Sequence, residues 1–581
     1  MISLTNNNSA SSSPGDKETT TSAESEVSSA TLDVEAITQQ ANMTIVIHPG
    51  SSHLRIGRAS DPQPVMIPHV IAWRHKNPET QTAKRMKLIR EDNKPDLKDL
   101  RKIEDMFFFT GCLESTADEV RKENSKKKPE KLQEGCGWTW TDTSLAPKFL
   151  IGDDALYIDE EDCYDLFWPI VNGQLNLKSK SITAVLADLQ CLWTKAIENF
   201  LRIPVKDIGK YRCILVIPDI YNREHIKNLV NLLLDQMQFS AIIIHQESVC
   251  ATYGCGVANA CVVDVGHQKT AVCCVEDGFS HFNTRLCMDI GGCDITGVFA
   301  WILMQNNFPY KECNVENRMD FLLLEELKET FCHLDVDRIG PEPQEFSLRR
   351  PGQMSLLYPF TLGDEAMQAP ISLFFPKLYG KQCQSLCIHF PTKNMGASDD
   401  PFDETYLAST RTKQEEAWAV KKEKAAAARI EEKIESNDRD EISMMTHKEK
   451  LGRKFSIPKE FIGLDDAIVW SIENSPDSYE NELKSKMYSC ILVVGGGLAN
   501  FDGVEDYLRK RIEEKIPKSS KSLVGHVKVV TKPKGQDSSI ISWKGGTVLS
   551  SLDNAQELWI KRNLWMEHGL RLLRENCAFI W

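Results

Sequence analysis

Along the chain, short apolar runs rich in β-branched residues are bounded by turn residues and alternate with stretches of helical spacing. The clearest example is Ala260 to Thr296. There Cys261 to Val265 is apolar, Gly266 to Lys269 supplies a turn, and Thr270 to Val275 is β-prone again, which predicts a tight hairpin. Asp277-Gly278 predicts the next turn. A third strand is expected to end at Ile290-Gly291-Gly292, with Asp294 capping an apolar helix from Ile295 to Leu303. The same pattern predicts strands from Thr44 to Ile47, Leu54 to Gly57, Ile214 to Pro218, Ala241 to Ile244 and Met487 to Val494. It also predicts a helix opened by Asn222 and an amphipathic one from Leu322 to Cys332. A turn of backbone amides and a glycine-opened helix N-terminus can each face a phosphate. Asp-x-Gly and Gly-Gly also occur in turns that bind nothing, so the order of elements around them carries the reading.

Polar character takes over at three places. Residues 1–42 are Ser, Thr, Asn and acid with few large apolar groups, the composition of a disordered tail. Between about residues 75 and 147 lies a basic, helix-prone insertion. Its Lys84, Arg85, Lys87, Arg121, Lys122, Lys126, Lys127 and Lys128 suit the phosphates of DNA, a solvated loop being the alternative. A second insertion spans about residues 391–455, and within it Glu415 to Lys433 has strong helix propensity. A solvated helix or a partner-docking element is expected there.

A chain of 581 residues has room for two or more lobes. Its net charge of −14, from 69 basic and 83 acidic residues, argues against a protein that coats nucleic acid over its whole surface and permits a local basic face. No run approaches the roughly 20 apolar residues of a membrane helix, and the opening MISLTNNNSASSSPGD lacks the features of a secretory signal. A soluble protein without a membrane partner is expected. The 18 cysteines are expected to be free, since several, such as Cys261, Cys273 and Cys274, sit inside apolar strands. Cys383 and Cys387 lack a second ligand pair at zinc spacing, so no metal site is predicted.

The order strand, Asp264-x-Gly266, two strands, Gly291-Gly292, helix resembles the second phosphate loop of the actin, Hsp70 and sugar-kinase superfamily. Matching segments lie on both sides of it. His48-Pro49-Gly50-Ser51-Ser52 resembles the first phosphate loop of actin, with Arg55 where actin has a lysine. The stretches Ile151 to Ala155, Trp168 to Gly173, Asn222 to Glu224, Ser542 to Leu552 and Trp559-Ile560 are also similar to actin. The resemblance implies an α/β, actin-like fold in which two RNase H-like lobes, residues 43–260 and 261–581, each with a mixed five-stranded sheet, close on a nucleotide cleft. It implies ATP or ADP held by Gly50, Ser51, Ser52, Arg55, Asp264, Gly266, His267, Gln268, Lys269, Thr270, Gly291 and Gly292. Toward the nucleoside, Lys328, Glu329, Gly495, Gly496, Gly497 and Phe501 are implied, and magnesium is left open.

Departures from the family pattern fall on the hydrolytic groups. His48 stands where actin has the acid that organises magnesium-bound water, and Pro49 removes one N–H. His267 replaces a second acid, and Ala271 replaces the histidine that orients water and cannot itself transfer a proton. Gln246, matching the glutamine that helps position the attacking water, is the only catalytic candidate retained. Lys269 adds positive charge able to neutralise phosphate. Nucleotide retention with weak hydrolysis is therefore expected. An active ATPase or phosphotransferase is the alternative, and a polymerising cytoskeletal protein is disfavoured by the insertions. The tail, the His-Pro-Gly-Ser-Ser loop, the insertions and the Cys274 to Gly278 segment most resemble nuclear actin-related proteins of chromatin-remodelling complexes. That resemblance implies location in the nucleus and a scaffold role in the INO-eighty complex. The partners implied are actin, a second nuclear actin-related protein, a helix of the motor ATPase, histones, nucleosomes and DNA, in transcription regulation, DNA recombination and DNA repair.

Overall fold

The apolar runs pair into two sheets built on one plan. The structure, a computed structural model, describes residues 38–75, 117–132, 140–338, 340–375, 388–389, 462–475, 482–531 and 535–579. In the first sheet β1 (Thr44–Pro49) is antiparallel to β2 (His53–Arg58), and β2 to β3 (Val65–Pro68). On its other side β1 is parallel to β4 (Arg212–Ile217), and β4 to β5 (Ala241–Gln246). The second sheet repeats this order. There β6 (Asn259–Val265) is antiparallel to β7 (Thr270–Glu276), β7 to β8 (Leu286–Met288), and β6 is parallel to β9 (Ile491–Val494), which is parallel to β10 (Val529–Val530). Short edge strands extend the sheets to six and seven strands, where five each were expected. The inner strands are continuous apolar runs because both faces are covered; Ile214, Leu215, Val263 and Val493 have no exposed surface.

Helices complete each lobe: α1 (Ile182–Phe200), α2 (Glu247–Cys255), α3 (Gly292–Gln305), α4 (Arg318–Phe331) and α5 (Ile541–Ser551). One core gathers β1, β2 and α1 around Trp193, and another gathers β6, α3 and α4 around Phe299. Between the lobes α2 and α5 cross in backbone contact. A Cβ on Gly545 would lie 1.7 Å from the Cys250 carbonyl oxygen, so the crossing requires glycine.

Several expectations change. Residues 38–42 form a short helix rather than tail, and Gln40 donates to the Ser550 carbonyl at 2.8 Å; residues 1–37 lie outside the described residues. Met487 belongs to the helix Glu482–Ser489, so the strand begins only at Ile491; Leu483 and Met487 supply that helix with a buried face, which reads as strand when taken with the apolar run behind it. The basic insertion, assigned to the first lobe by its place in the chain, crosses to the second. Its helix Ala117–Asn124 and strand Glu130–Lys131 dock on the hairpin Glu342–Leu348 and Leu356–Leu362, with Lys131 paired to Leu356. Buried Asn124 donates to the carbonyls of Asn306 and Thr361 at 3.1 and 3.0 Å and accepts from the Thr361 amide at 2.7 Å. Lys84, Arg85, Lys87, the insertion over 391–455, Cys383 and Cys387 lie outside the described residues. Among the described residues no helix is long and apolar enough to cross a membrane.

Candidate functional site

Because the two sheets share one plan, the β1–β2 and β6–β7 turns meet across the gap between lobes and line one cavity of about 540 Å³. That volume falls within the range of small-molecule sites. Of the nucleotide contacts expected from sequence, Gly50, Ser51, Ser52, Arg55, Asp264, Gly266, His267, Lys269, Gly292, Lys328, Glu329, Gly495, Gly496, Gly497 and Phe501 line it.

The first loop is braced from behind. Trp193 Nε1 donates to His69 Nε2 at 3.1 Å; indole N–H can only donate, so the His69 hydrogen sits on Nδ1 and is given to the Gly50 carbonyl at 2.7 Å. Burial lowers the pKa of His69 to about 4, which keeps this neutral tautomer in place at neutral pH. The Gly50 N–H closes the turn onto the His53 carbonyl at 3.0 Å, so Gly50 shapes the loop while Ser51 and Ser52 line the cavity beside it.

The second loop is held from α3. Gly266 N–H closes the turn on the Lys269 carbonyl at 2.8 Å, Gly292 N–H donates to the Gly266 carbonyl at 2.9 Å, and Cys293 N–H donates to the His267 carbonyl at 2.8 Å. Asp294, expected to cap a helix beginning at Ile295, lies inside it: α3 begins at Gly292, and from its third position Asp294 accepts from the Gly291 N–H at 2.9 Å. The helix N-terminus expected to face phosphate therefore spends these amides on the turn and its cap. Close approach explains the glycines: a Cβ on Gly291 would meet the Gly266 and His267 carbonyl oxygens at 2.6 and 2.7 Å, and one on Gly497 the Gly266 oxygen at 2.6 Å. Gly291, Gln268 and Thr270 do not line the main cavity. Gln268 accepts from the Asn172 amide at 3.1 Å and Thr270 donates to the Ile290 carbonyl at 2.8 Å, so both tie the turn to its surroundings.

At the closed end, Lys269, expected to neutralise phosphate, lines the cavity and is also paired within the protein. Its ammonium binds Glu247 Oε2 at 2.5 Å, and the other oxygen of Glu247 meets His48 Nε2 at 3.2 Å. Burial opposes the charge on both members, but Lys269 and His48 hold the Glu247 carboxyl below its usual range, and Glu247 with Asp264 holds Lys269 above its own. Asp264 is pushed up to about 6 by burial and by the charge of Glu247, offset in part by Lys269, His48 and Arg55. Beside the second turn His267 Nδ1 pairs with Glu325 Oε1 at 3.2 Å. Sequence reasoning missed Glu247, Glu325, Asp537 and Ser539, all of which line the cavity. Only the resemblance in β5 and α4 could have drawn attention to the first two.

Gln246 is turned away from this chemistry. It is fully buried and does not line the cavity; its amide meets Ser280 Oγ at 2.7 Å and Arg285 Nη2 at 3.3 Å. The retained catalytic candidate is thus a structural ligand of Arg285. Toward the nucleoside end, Lys328 donates to the Gly292 carbonyl at 3.1 Å and to Thr296 Oγ1 at 2.9 Å, which binds α4 to α3. Phe501 is 7% exposed and presents the remainder of its ring to the cavity.

These residues suit a nucleoside triphosphate. Arg55 Nε is a buried donor with no hydrogen-bond partner, and the Arg55 side chain borders the cavity, where a phosphate would answer its charge. They do not suit a hydrated magnesium ion. The carboxylate of Glu247 is taken by Lys269 and His48, Asp264 lies within the field of the same ammonium, and that fixed charge would repel a second cation.

Comparison with known proteins agrees with this geometry. The actin family profile matches residues 39–578. Actin-related protein 8 of Bos taurus is 43% identical, with 93% of each chain covered. The proteins of that name from Danio rerio and Homo sapiens are each 42% identical, again over 93% of each chain. Among solved structures, one described as human actin-related protein Arp8 in its ATP-bound state matches with a TM-score of 0.77 at 41% identity, covering 94% of this chain and 99% of that one.

Proposed function

Because this chain belongs to the actin family, we propose that it is a non-polymerising nuclear actin-related protein that retains ATP with little or no hydrolysis. It serves as a scaffold subunit of the INO-eighty chromatin-remodelling complex, bound to nucleosomes, histones and DNA in transcription regulation, recombination and repair. The observation that carries the nucleotide part is the division within the cleft: both phosphate-facing turns line the cavity, while the positions that carry actin's water-activating groups are substituted or turned away. His48 is engaged by Glu247, Gln246 by Arg285 and Ser280, and Ala271 has no proton to move. When bound, ATP would supply a ligand joining both lobes, and the solved human relative described in its ATP-bound state supports that choice. The residues of this chain then hold and enclose the nucleotide.

Binding to DNA draws support from the same insertion, which presents Lys126 and Lys128 exposed and Lys127 half-buried just beyond the helix Ala117–Asn124. Changing Lys126, Lys127 and Lys128 to Gln should weaken DNA and nucleosome binding and flatten its salt dependence, by a log–log slope of roughly 0.9 for each phosphate that is no longer neutralised. Unchanged affinity and slope in a filter-binding titration would remove this segment from the DNA interface.

A further inference from the structure

The closed end of the cleft is built around Lys269. Its stem lies in a slot between Gly173 and Pro218; a Cβ on Gly173 would stand 3.2 Å from Lys269 Cδ and Cε and from Pro218 Cγ. The slot delivers the ammonium to Glu247 at 2.5 Å and leaves it lining the main cavity on one side and a second cavity of about 210 Å³ on the other. Arg55 and His48, each with an unpartnered buried nitrogen, border the same end. Three groups able to carry positive charge thus surround the two carboxylates of Glu247 and Asp264.

Resting on the reading of the cleft as an ATP site, we propose that the Lys269 ammonium stands in for the divalent cation of metal-dependent nucleotide sites, so that this chain binds ATP in its magnesium-free form. An ammonium is a compact point charge suited to phosphate oxygens. Held by Gly173, Pro218 and Glu247, it is already in position before the nucleotide arrives and loses little freedom on binding. A hydrated magnesium ion needs carboxylate acceptors for its water shell. At this end Glu247 is already engaged, Asp264 shares the field of the Lys269 ammonium, and the ion would stand beside that fixed positive charge.

The test titrates the full chain, stripped of nucleotide, with ATP by calorimetry in excess magnesium and again in EDTA. The proposal expects a Kd in EDTA within about threefold of that in magnesium, or tighter. Loss of about tenfold or more in EDTA overturns it while leaving the ATP reading intact. No ATP binding in either buffer overturns both. A second arm uses Lys269→Met, with folding checked by thermal unfolding. It should lose about tenfold or more in EDTA and recover part of that in magnesium, because Glu247 is freed to accept from the ion's water. Equal losses in the two buffers would make Lys269 a structural residue only and overturn the proposal.

Discussion

Replacing Glu247 by Gln removes one charge and almost no volume from the closed end of the cleft. Glu247 holds Lys269 at 2.5 Å and His48 at 3.2 Å, and the side chains of Lys269 and Glu247 are only 10% and 5% exposed. At that separation the gross attraction is roughly 7 kcal/mol for an effective dielectric of 20. Against it stands a desolvation penalty of several kcal/mol for each ion, so the net contribution of the intact pair is small. Removing one partner is another matter. Lys269 would be left charged and buried with only Asp264 to offset it, and Glu247→Gln should destabilise the fold by about 3–5 kcal/mol. The assay is equilibrium urea unfolding of nucleotide-free chain followed by tryptophan fluorescence, since bound ligand would add stabilisation of its own. Adding Lys269→Met should recover most of the stability, with a coupling of about 2 kcal/mol or more in the double-mutant cycle. A destabilisation below about 1 kcal/mol, the range of an exposed pair, or purely additive effects would refute the reasoning.

Two further outcomes follow from the site. Gly291→Ala places a methyl group 2.6 Å from the Gly266 carbonyl, with backbone rather than a flexible side chain in the way, so the phosphate turn must shift; ATP affinity should fall about tenfold or more by calorimetry, and undiminished binding would mean the turn is not held where described. Asp264 has a folded-state pKa raised to about 6, above its ordinary carboxylate value. Its contribution to stability is therefore fully present below its ordinary carboxylate value and lost as pH rises through about 6, and a bound phosphate, by disfavouring the charge further, makes ATP affinity weaken as pH rises above about 6. Asp264→Asn should flatten the affinity profile between pH 5.5 and 7.5 by roughly threefold to tenfold relative to the parent chain; parallel profiles would exclude Asp264 as the titrating group.

How much of this was legible in the sequence depended on how locally each feature is determined. The hairpin from Asp264 to Thr270 was legible because short apolar, β-branched runs and a Gly-containing turn are decided within a dozen residues, and Asn222 announced its helix by capping chemistry. The doubled sheet followed from element order and the family resemblance together. What stayed hidden are directions and distant partners. Gln246 and Glu247 are neighbours at the end of β5, and nothing local says that one turns to Arg285 while the other takes Lys269. His69 acquires its bracing role only from Trp193, which stands in another element, and Gly291 its necessity only from a carbonyl on the facing turn. The basic insertion was assigned to the first lobe because its tie to the second rests on an eight-residue helix that buries only Val120 and Asn124 and on a two-residue strand, both too short to show a period.

The central claim is a cleft that keeps its nucleotide and has lost the means to cleave it. Single-turnover hydrolysis on the purified chain, with bound nucleotide quantified before and after, tests it most directly. The account predicts ATP still bound and intact after many minutes, because His48, Gln246 and Ala271 no longer supply the family's groups for positioning and activating water. Rapid conversion of the bound ATP to ADP would contradict it and would require a water-activating residue other than these.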